Sequence, residues 1–206
     1  MLSDPNLEWV RHEARELAPV DDVVVAQEGR LDCYQAKHAS SSHGLFDLED
    51  LEDDPNNLRL TVDRLYEAWN EAKATGRDAI RIHIYTNRAA GPELSKLLED
   101  ECIAPDVVTN ERQKKRRRRL VDAAGVPNED EEEFLTSLRF DLRQPGLEDL
   151  RRFVAEEQLV QRLGLDDDAY GQFMVKVSRW FEASHSEPVT REDVLQALPV
   201  DTATLP

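Results

Sequence analysis

Two runs of strand-forming residues, Asp22 to Gln27 (DVVVAQ) and Leu31 to Lys37 (LDCYQAK), flank Glu28-Gly29-Arg30. Two strand-like runs with a glycine between them, where a tight turn needs one, predict a β-hairpin. A turn through Gly29 and Arg30 would pair Glu28 with Leu31 and set Asp22 opposite Lys37. Because a strand repeats every two residues, Gln35 shares the face of Lys37. A carboxylate, an amide oxygen and an ammonium would then converge at one end of the hairpin.

The remaining pattern predicts a mixed α/β fold. Leu7, Val10, Ala14 and Leu17 recur at helical spacing before Pro19 and suggest a helix over 5–18. Ser40 to Gly44 and the acidic run Asp47 to Asp54 read as a polar, mobile connection ending at Pro55. Leu58, Val62, Leu65, Tyr66, Trp69 and Ala72 mark one face of an amphipathic helix that Gly76 closes, and Ala79 to Tyr85 follows as a strand. A helix over 92–100 comes next, then a basic helix over about 110–124 that stops at Gly125 and Pro127. Residues 137–142 suit an edge strand.

Beyond residue 145 the pattern is helical. Leu147, Leu150, Phe153, Val154, Val160 and Leu163 share a face that Gly164 ends, and Tyr170, Phe173, Met174, Val177, Trp180 and Phe181 form a second face read as core packing. Thr190 to Asp193 resembles a capping box, with Asp in place of the usual Glu or Gln. The expected organisation is an α/β core over 1–145 and a helical extension over 146–206 packed on it.

Charge narrows the function classes. The 206 residues carry 43 acidic and 26 basic side chains, a net charge of −17. Arg112 and Lys114 through Arg119 supply seven of the basic ones; the other 19 against 43 leave −24, so an acidic body bears one concentrated basic segment. That balance argues against phosphate binding over the whole surface but not locally. Lys114, Lys115, Arg116, Arg117, Arg118 and Arg119 read either as a solvated helix face balancing acidic runs such as Glu129 to Glu133, or as a nucleic-acid contact, or as a nuclear-localisation signal. Apolar runs such as Val23 to Ala26 fall far below the roughly 18–20 residues that cross a bilayer. The amino terminus has no secretory pattern, so a cytoplasmic protein without membrane contact is expected. Cys33 and Cys102 lie apart and without a metal-binding Cys/His spacing, and Cys33 has no base beside it in sequence. Phosphate-cradling glycine loops and a Gly-x-Ser-x-Gly elbow are both missing.

Two readings fit the hairpin. Asp22 and Lys37 form an ordinary cross-strand ion pair while Gln35 faces solvent, or Asp22, Gln35 and the Ala36 carbonyl hold a hard divalent cation while Lys37 orients water or stabilises charge during phosphodiester cleavage. Asp21-Asp22-Val23-Val24-Val25 and, thirteen residues from Asp22, Tyr34-Gln35-Ala36-Lys37-His38 resemble the Asp and Gln-x-Lys motifs of the PD-(D/E)xK nuclease superfamily. The resemblance is nearest to the amino-terminal endonuclease domains of CD-NTase-associated and NTPase-linked bacterial anti-phage proteins, and more distant to Mrr-like restriction enzymes. It covers residues 20–90, including Ile84 to Arg88 as the element after the first crossover helix.

The resemblance implies a restriction-endonuclease-like mixed sheet flanked by helices, with Asp22, Gln35 and Lys37 as the nuclease centre and Mg²⁺ or Mn²⁺ as cofactor. Asp21 substitutes for Asp22 if the register differs by one. Glu13 or Glu16 would supply an added glutamate from the first helix, His38 a phosphate contact, and Thr86, Asn87 and Arg88 the strand end beside the site. The function implied is sequence-nonspecific DNA cleavage in anti-phage defence, controlled by a sensor or NTPase on the same or a partner chain, by homo-oligomerisation or by a nucleotide signal. The rival readings are a catalytically silent protein-interaction module and a nucleic-acid-binding adaptor centred on the basic helix.

Overall fold

In the computed structural model, residues 6–12, 17, 22–37, 44–53, 60–103, 111–145, 149, 167–183 and 188–197 are described. The chain divides into two compact units, one of residues 1–13, 25–28 and 145–206 and the other of residues 14–24 and 29–144. It is a mixed α/β protein whose multi-stranded sheet is itself mixed and is flanked by helices.

The larger unit is organised by parallel pairing. Strand β3 (Arg30–Lys37) runs parallel to β5 (Ala79–Thr86) over eight residue pairs, from Arg30↔Ala79 to Lys37↔Thr86. Parallel neighbours need a crossover, and α2 (Val62–Lys73) provides it, packing Leu65, Ala68, Trp69 and Ala72 inward. Gly76, at φ 78, ends the turn that follows this helix. Strand β9 (Leu138–Asp141) lies parallel on the other side of β5, and β8 (Cys102–Ile103) and β7 (Leu98–Glu99) extend the sheet antiparallel beyond it. Alternate residues of β5, Ile80, Ile82, Ile84 and Thr86, are buried, on the face where Trp69, Phe134 and Leu135 contribute to the core. Helices α3 (Glu111–Ala124) and α4 (Glu131–Ser137) complete the layer: α3 packs on α2, and α4 on β5, β8 and β9. Trp69, Phe134 and Tyr66 form an aromatic cluster with ring centroids 5.2–5.8 Å apart.

In the smaller unit β1 (Leu7–His12) pairs antiparallel with β10 (Val189–Thr190), and α6 (Arg191–Ala197) packs on both. The Thr190–Asp193 capping box forms as the sequence suggests, with the Asp193 amide donating to Thr190 Oγ1 at 3.2 Å and the Thr190 amide donating to the Asp193 carboxylate at 2.8 Å.

Several expectations are corrected. Residues 7–12 are a strand, not part of a helix: the spacing of Leu7 and Val10 suits either period, and pairing of Trp9 with Thr190 and Val10 with Val189 decides it. The run from Asp47 is ordered structure. Strand β4 (Leu45–Phe46) pairs parallel with β6 (Ala89–Ala90), and helix α1 (Leu48–Glu52) buries Leu48 and Leu51. Asp47 caps α1 in a box with Asp50, and its carboxylate also accepts from the backbone amides of Glu93 (3.3 Å) and Leu94 (2.6 Å). No room remains for a Cβ at Gly91 against that carboxylate.

The helix expected over 92–100 reduces to a 3-10 turn, Leu94–Lys96, because Asp100 and Glu101 both take left-handed φ values, 47 and 67, and close the β7–β8 hairpin. Strand β9 is interior rather than an edge. On helix α5 (Asp167–Ala183), Phe173, Val177 and Trp180 are half-buried and Met174 is exposed, so this stripe is not a sealed core among the described residues. The expected helix over 147–164 lies outside the described residues.

Phe134 is fully buried and touches both other rings of the cluster. Replacing it by Ala is expected to lower the unfolding free energy by about 3–5 kcal/mol, read from urea denaturation followed by tryptophan fluorescence. A loss under about 1 kcal/mol would show that this cluster does not anchor the helical layer.

Candidate functional site

Sequence places Asp22 just before β2 (Val23–Gln27) and Gln35 near the end of β3, and the fold brings them together. The Gln35 side-chain amide donates to Asp22 Oδ2, and the Ala36 backbone N–H donates to the same oxygen at 2.7 Å. The turn accounts for this partner. Glu28 and Gly29 form it, with Gly29 at φ 70, so β3 begins at Arg30 and the turn sits one residue earlier than expected. Asp22 therefore meets Gln35 rather than standing opposite Lys37, while Gln35 and Lys37 keep their common face.

Gln35 is buried and Asp22 half-buried, so the Gln35 bond lies partly out of water while the Ala36 bond is exposed, and together they fix the position of the carboxylate. Lys37, half-buried, ends β3 in register with Thr86. Oδ1 of Asp22 makes no hydrogen bond with a described residue, and the Gln35 amide oxygen and the Ala36 carbonyl are neutral hard donors of the kind Mg²⁺ accepts beside water. A divalent cation taken here would be held by one carboxylate and two neutral oxygens once the Gln35 amide is turned so that its oxygen, rather than its NH2, faces Asp22; no group of three His, Cys, Asp or Glu side chains among the described residues could hold a metal. Glu13, Glu16, Asp21 and His38 lie outside the described residues.

Other groups gather at the carboxyl ends of the parallel strands. Thr86 is buried, its Oγ1 accepts from the Arg88 amide at 3.3 Å, and its carbonyl accepts from the Gln144 amide at 3.0 Å. The Arg88 carbonyl accepts from the Arg143 amide at 2.9 Å. Arg88 Nη1 stands 3.9 Å from Asp50. Arg143 escapes a reading of the sequence, because only the parallel placement of β9 beside β5 brings it here.

The opposite face of the sheet carries a cluster that alternation alone does not reveal. His83 shares Nδ1 with Asp141 at 2.8 Å and Nε2 with Asp32 at 3.3 Å, stacks on Tyr34 with centroids 4.3 Å apart, and so ties β9, β5 and β3 together. Arg30 adds a 2.8 Å bond to Asp32. Burial alone would push the His83 pKa down, but the hydrogen bonds and charges of the two carboxylates outweigh it and the value is raised. For Asp32, burial pushes up, and the bonds and charges of His83 and Arg30 win, lowering it. With both ring nitrogens engaged, His83 is a clamp rather than a base. Cys33, on the Gln35 face, is buried, and burial with the nearby Asp32 charge raises its thiol to about 12, which removes it as a nucleophile.

The basic segment forms the expected helix, α3, and most of its cations meet carboxylates. Lys114 pairs with Glu111 at 2.8 Å, Arg116 with Glu93, Arg117 with Glu131 at 3.2 Å, Arg118 with Asp122 at 2.8 Å and Arg119 with Glu52. Arg116 is buried, whereas Lys115 is exposed. No helix among the described residues is long and apolar enough to cross a membrane. The sequence matches no protein-family model and no curated protein.

The clamp has a pH signature. A raised folded pKa at His83 contributes stability that is complete below the unfolded value of about 6.5 and is lost as pH rises through the folded pKa. Asp32, with its lowered pKa, contributes above about 3.8 and loses that on acidification. The stability gap between the natural chain and His83→Gln is therefore expected to be larger at pH 6 than at pH 9 in urea denaturation. An equal gap at both pH values would contradict a protonated clamp.

Proposed function

We propose that this protein is a metal-dependent DNA endonuclease effector of the PD-(D/E)xK type, cutting without sequence preference in anti-phage defence under the control of a sensor or of oligomerisation. One observation carries the reading: Asp22 and Gln35, thirteen residues apart and singled out by the motif resemblance, meet through a hydrogen bond at one carboxylate. The crossover supports it as well, since β5 follows α2 and lies parallel to the strand that bears Gln35 and Lys37, the place the resemblance implies for Ile84 to Arg88.

The reading divides the work among the chain's own groups. Asp22 and the oxygens of Gln35 and Ala36 would hold Mg²⁺ or Mn²⁺, which would supply Lewis-acid polarisation of the phosphate. Lys37, a compact charge on a flexible stem, orients the attacking water or offsets the negative charge that grows on the phosphate. Asp22 is kept in place by the Ala36 amide, so its position does not depend on the cation. The working compartment is the cytoplasm, where Cys33 and Cys102 remain thiols. A catalytically silent interaction module is the second reading, favoured by the neutrality of Gln35, which leaves Asp22 as the single carboxylate of the set.

Purified protein incubated with plasmid DNA is expected to degrade it with Mg²⁺ or Mn²⁺ and to leave it intact with EDTA. Lys37→Ala and Asp22→Asn should each reduce the rate at least 100-fold, about 2.7 kcal/mol of transition-state stabilisation. Plasmid left intact by the natural chain at high protein concentration with every metal, or degradation unchanged in Lys37→Ala, would contradict the proposal.

A further inference from the structure

Three cations, Lys37, Arg88 and Arg143, belong to the carboxyl ends of three parallel strands, the side of an open α/β sheet on which ligands bind. Lys37 closes β3 in register with Thr86 at the end of β5. The chain leaving β9 then folds across the end of β5, the Arg143 amide donating to the Arg88 carbonyl at 2.9 Å and the Gln144 amide to the Thr86 carbonyl at 3.0 Å. Two strand spacings, about 10 Å, separate the end of β3 from that of β9, which is a few nucleotides along a nucleic-acid strand at roughly 3.4 Å each.

Arg143 is also conformationally unusual. Its φ of 56 lies in the left-handed region, which disfavours a side chain as long as arginine's, and two backbone hydrogen bonds in succession hold it there. A glycine would occupy that position with less strain. The side chain is exposed and makes no ion pair with a described residue. Arg88 is less available, with a side chain 17% exposed and Asp50 at 3.9 Å. Asp141, the nearest acid in sequence to Arg143, is held by His83 on the other face of the sheet.

We propose that Arg143, together with Lys37 and Arg88, takes up the phosphodiester backbone of DNA at the carboxyl ends of β3, β5 and β9, beside Asp22 and Gln35. The inference rests on the nuclease reading and names the part of that site that grips the substrate. It moves the main phosphate contact away from residues 114–119. There, five of six cations already face carboxylates, and Arg116 has a side chain only 6% exposed. Phosphates would have to displace those partners, so the helix gains little from DNA.

The test is fluorescence anisotropy of a labelled 20-base-pair DNA duplex with the full chain in EDTA across a salt series. Arg143→Gln is expected to weaken binding five- to tenfold at low salt and to lower the slope of log affinity against log salt by about one. Arg143→Gly, which relieves the left-handed strain, should lose the same affinity while melting no lower than the natural chain. Arg143→Lys should retain most of the binding, and Lys114→Gln with Lys115→Gln should change it less than twofold. Full affinity in both Arg143→Gln and Arg143→Gly, loss confined to the Lys114/Lys115 variant, or no DNA binding by the natural chain would each overturn the proposal. Plasmid cleavage on the same preparations separates the two ideas. Metal-dependent cleavage with Arg143-independent binding defeats the phosphate contact alone. Arg143-dependent binding without cleavage at any metal concentration upholds the contact and defeats the nuclease reading.

Discussion

Eight consecutive parallel pairs between β3 and β5 set the terms for the larger unit. A parallel partner cannot be reached by a tight turn, so the chain must leave the sheet, cross it and return, and the amphipathic α2 is the element that makes this passage favourable by burying Trp69, Leu65 and Ala72 on the way. The same pairing fixes which residues become neighbours. It puts Gln35 beside Ile84 and Lys37 beside Thr86, with their side chains at the carboxyl ends of the strands, and it puts Tyr34 beside His83 on the reverse face. One register thus builds a polar site on one side and a charged clamp on the other. A slip of one residue would exchange the two faces, driving Asp32 and Tyr34 into the apolar layer and Cys33 and Gln35 out of it.

Charge is managed locally in this strongly acidic chain. Arginines of α3 reach carboxylates on α1, on α4 and in the segment before the 3-10 turn, so the basic helix works as an internal counterweight that holds neighbouring elements to it. Buried or half-buried pairs of this kind specify arrangement more than they add stability, because the desolvation of each ion offsets much of the attraction. The Asp32–His83–Asp141 clamp follows the same rule: the buried Asp32 carboxylate is met by both Arg30 and His83, and His83 carries the contact on to the half-buried Asp141. Asp47 serves in an analogous way with neutral partners, since one carboxylate caps α1 and satisfies two backbone amides of the segment at Glu93 and Leu94.

Much of the sheet was legible because its residues advertise it. β2 is a run of β-branched and apolar residues, β5 alternates with period two, a glycine marks the hairpin, and α2 and α3 show helical period with glycine stops, so both local propensity and burial point the same way. The fold departs from the local pattern where local signals are neutral and long-range pairing decides. Leu7 and Val10 fit helix and strand alike, and the short β7–β8 hairpin turns through Asp100 and Glu101, whose left-handed conformations their side chains do not announce. Of the candidate site, the convergence of Asp22 and Gln35 at one end of the hairpin could be anticipated from the hairpin and the motif resemblance, but the hairpin reading put Lys37 rather than Gln35 opposite Asp22. The turn position could not, since Glu28-Gly29 and Gly29-Arg30 both offer a glycine. Arg143 and His83 were invisible in sequence because each acquires its neighbours from the β5–β9 pairing, across more than fifty residues of chain.

Paramagnetic broadening tests the proposed cation centre at Asp22, Gln35 and Ala36 without any need for turnover. With substoichiometric Mn²⁺ added to the ¹⁵N-labelled chain, the Ala36 backbone amide and the Gln35 side-chain amide are expected to broaden first, and Asp22→Asn should abolish the effect. Broadening confined to the acidic helix Leu48–Glu52, or unchanged by Asp22→Asn, would contradict the account.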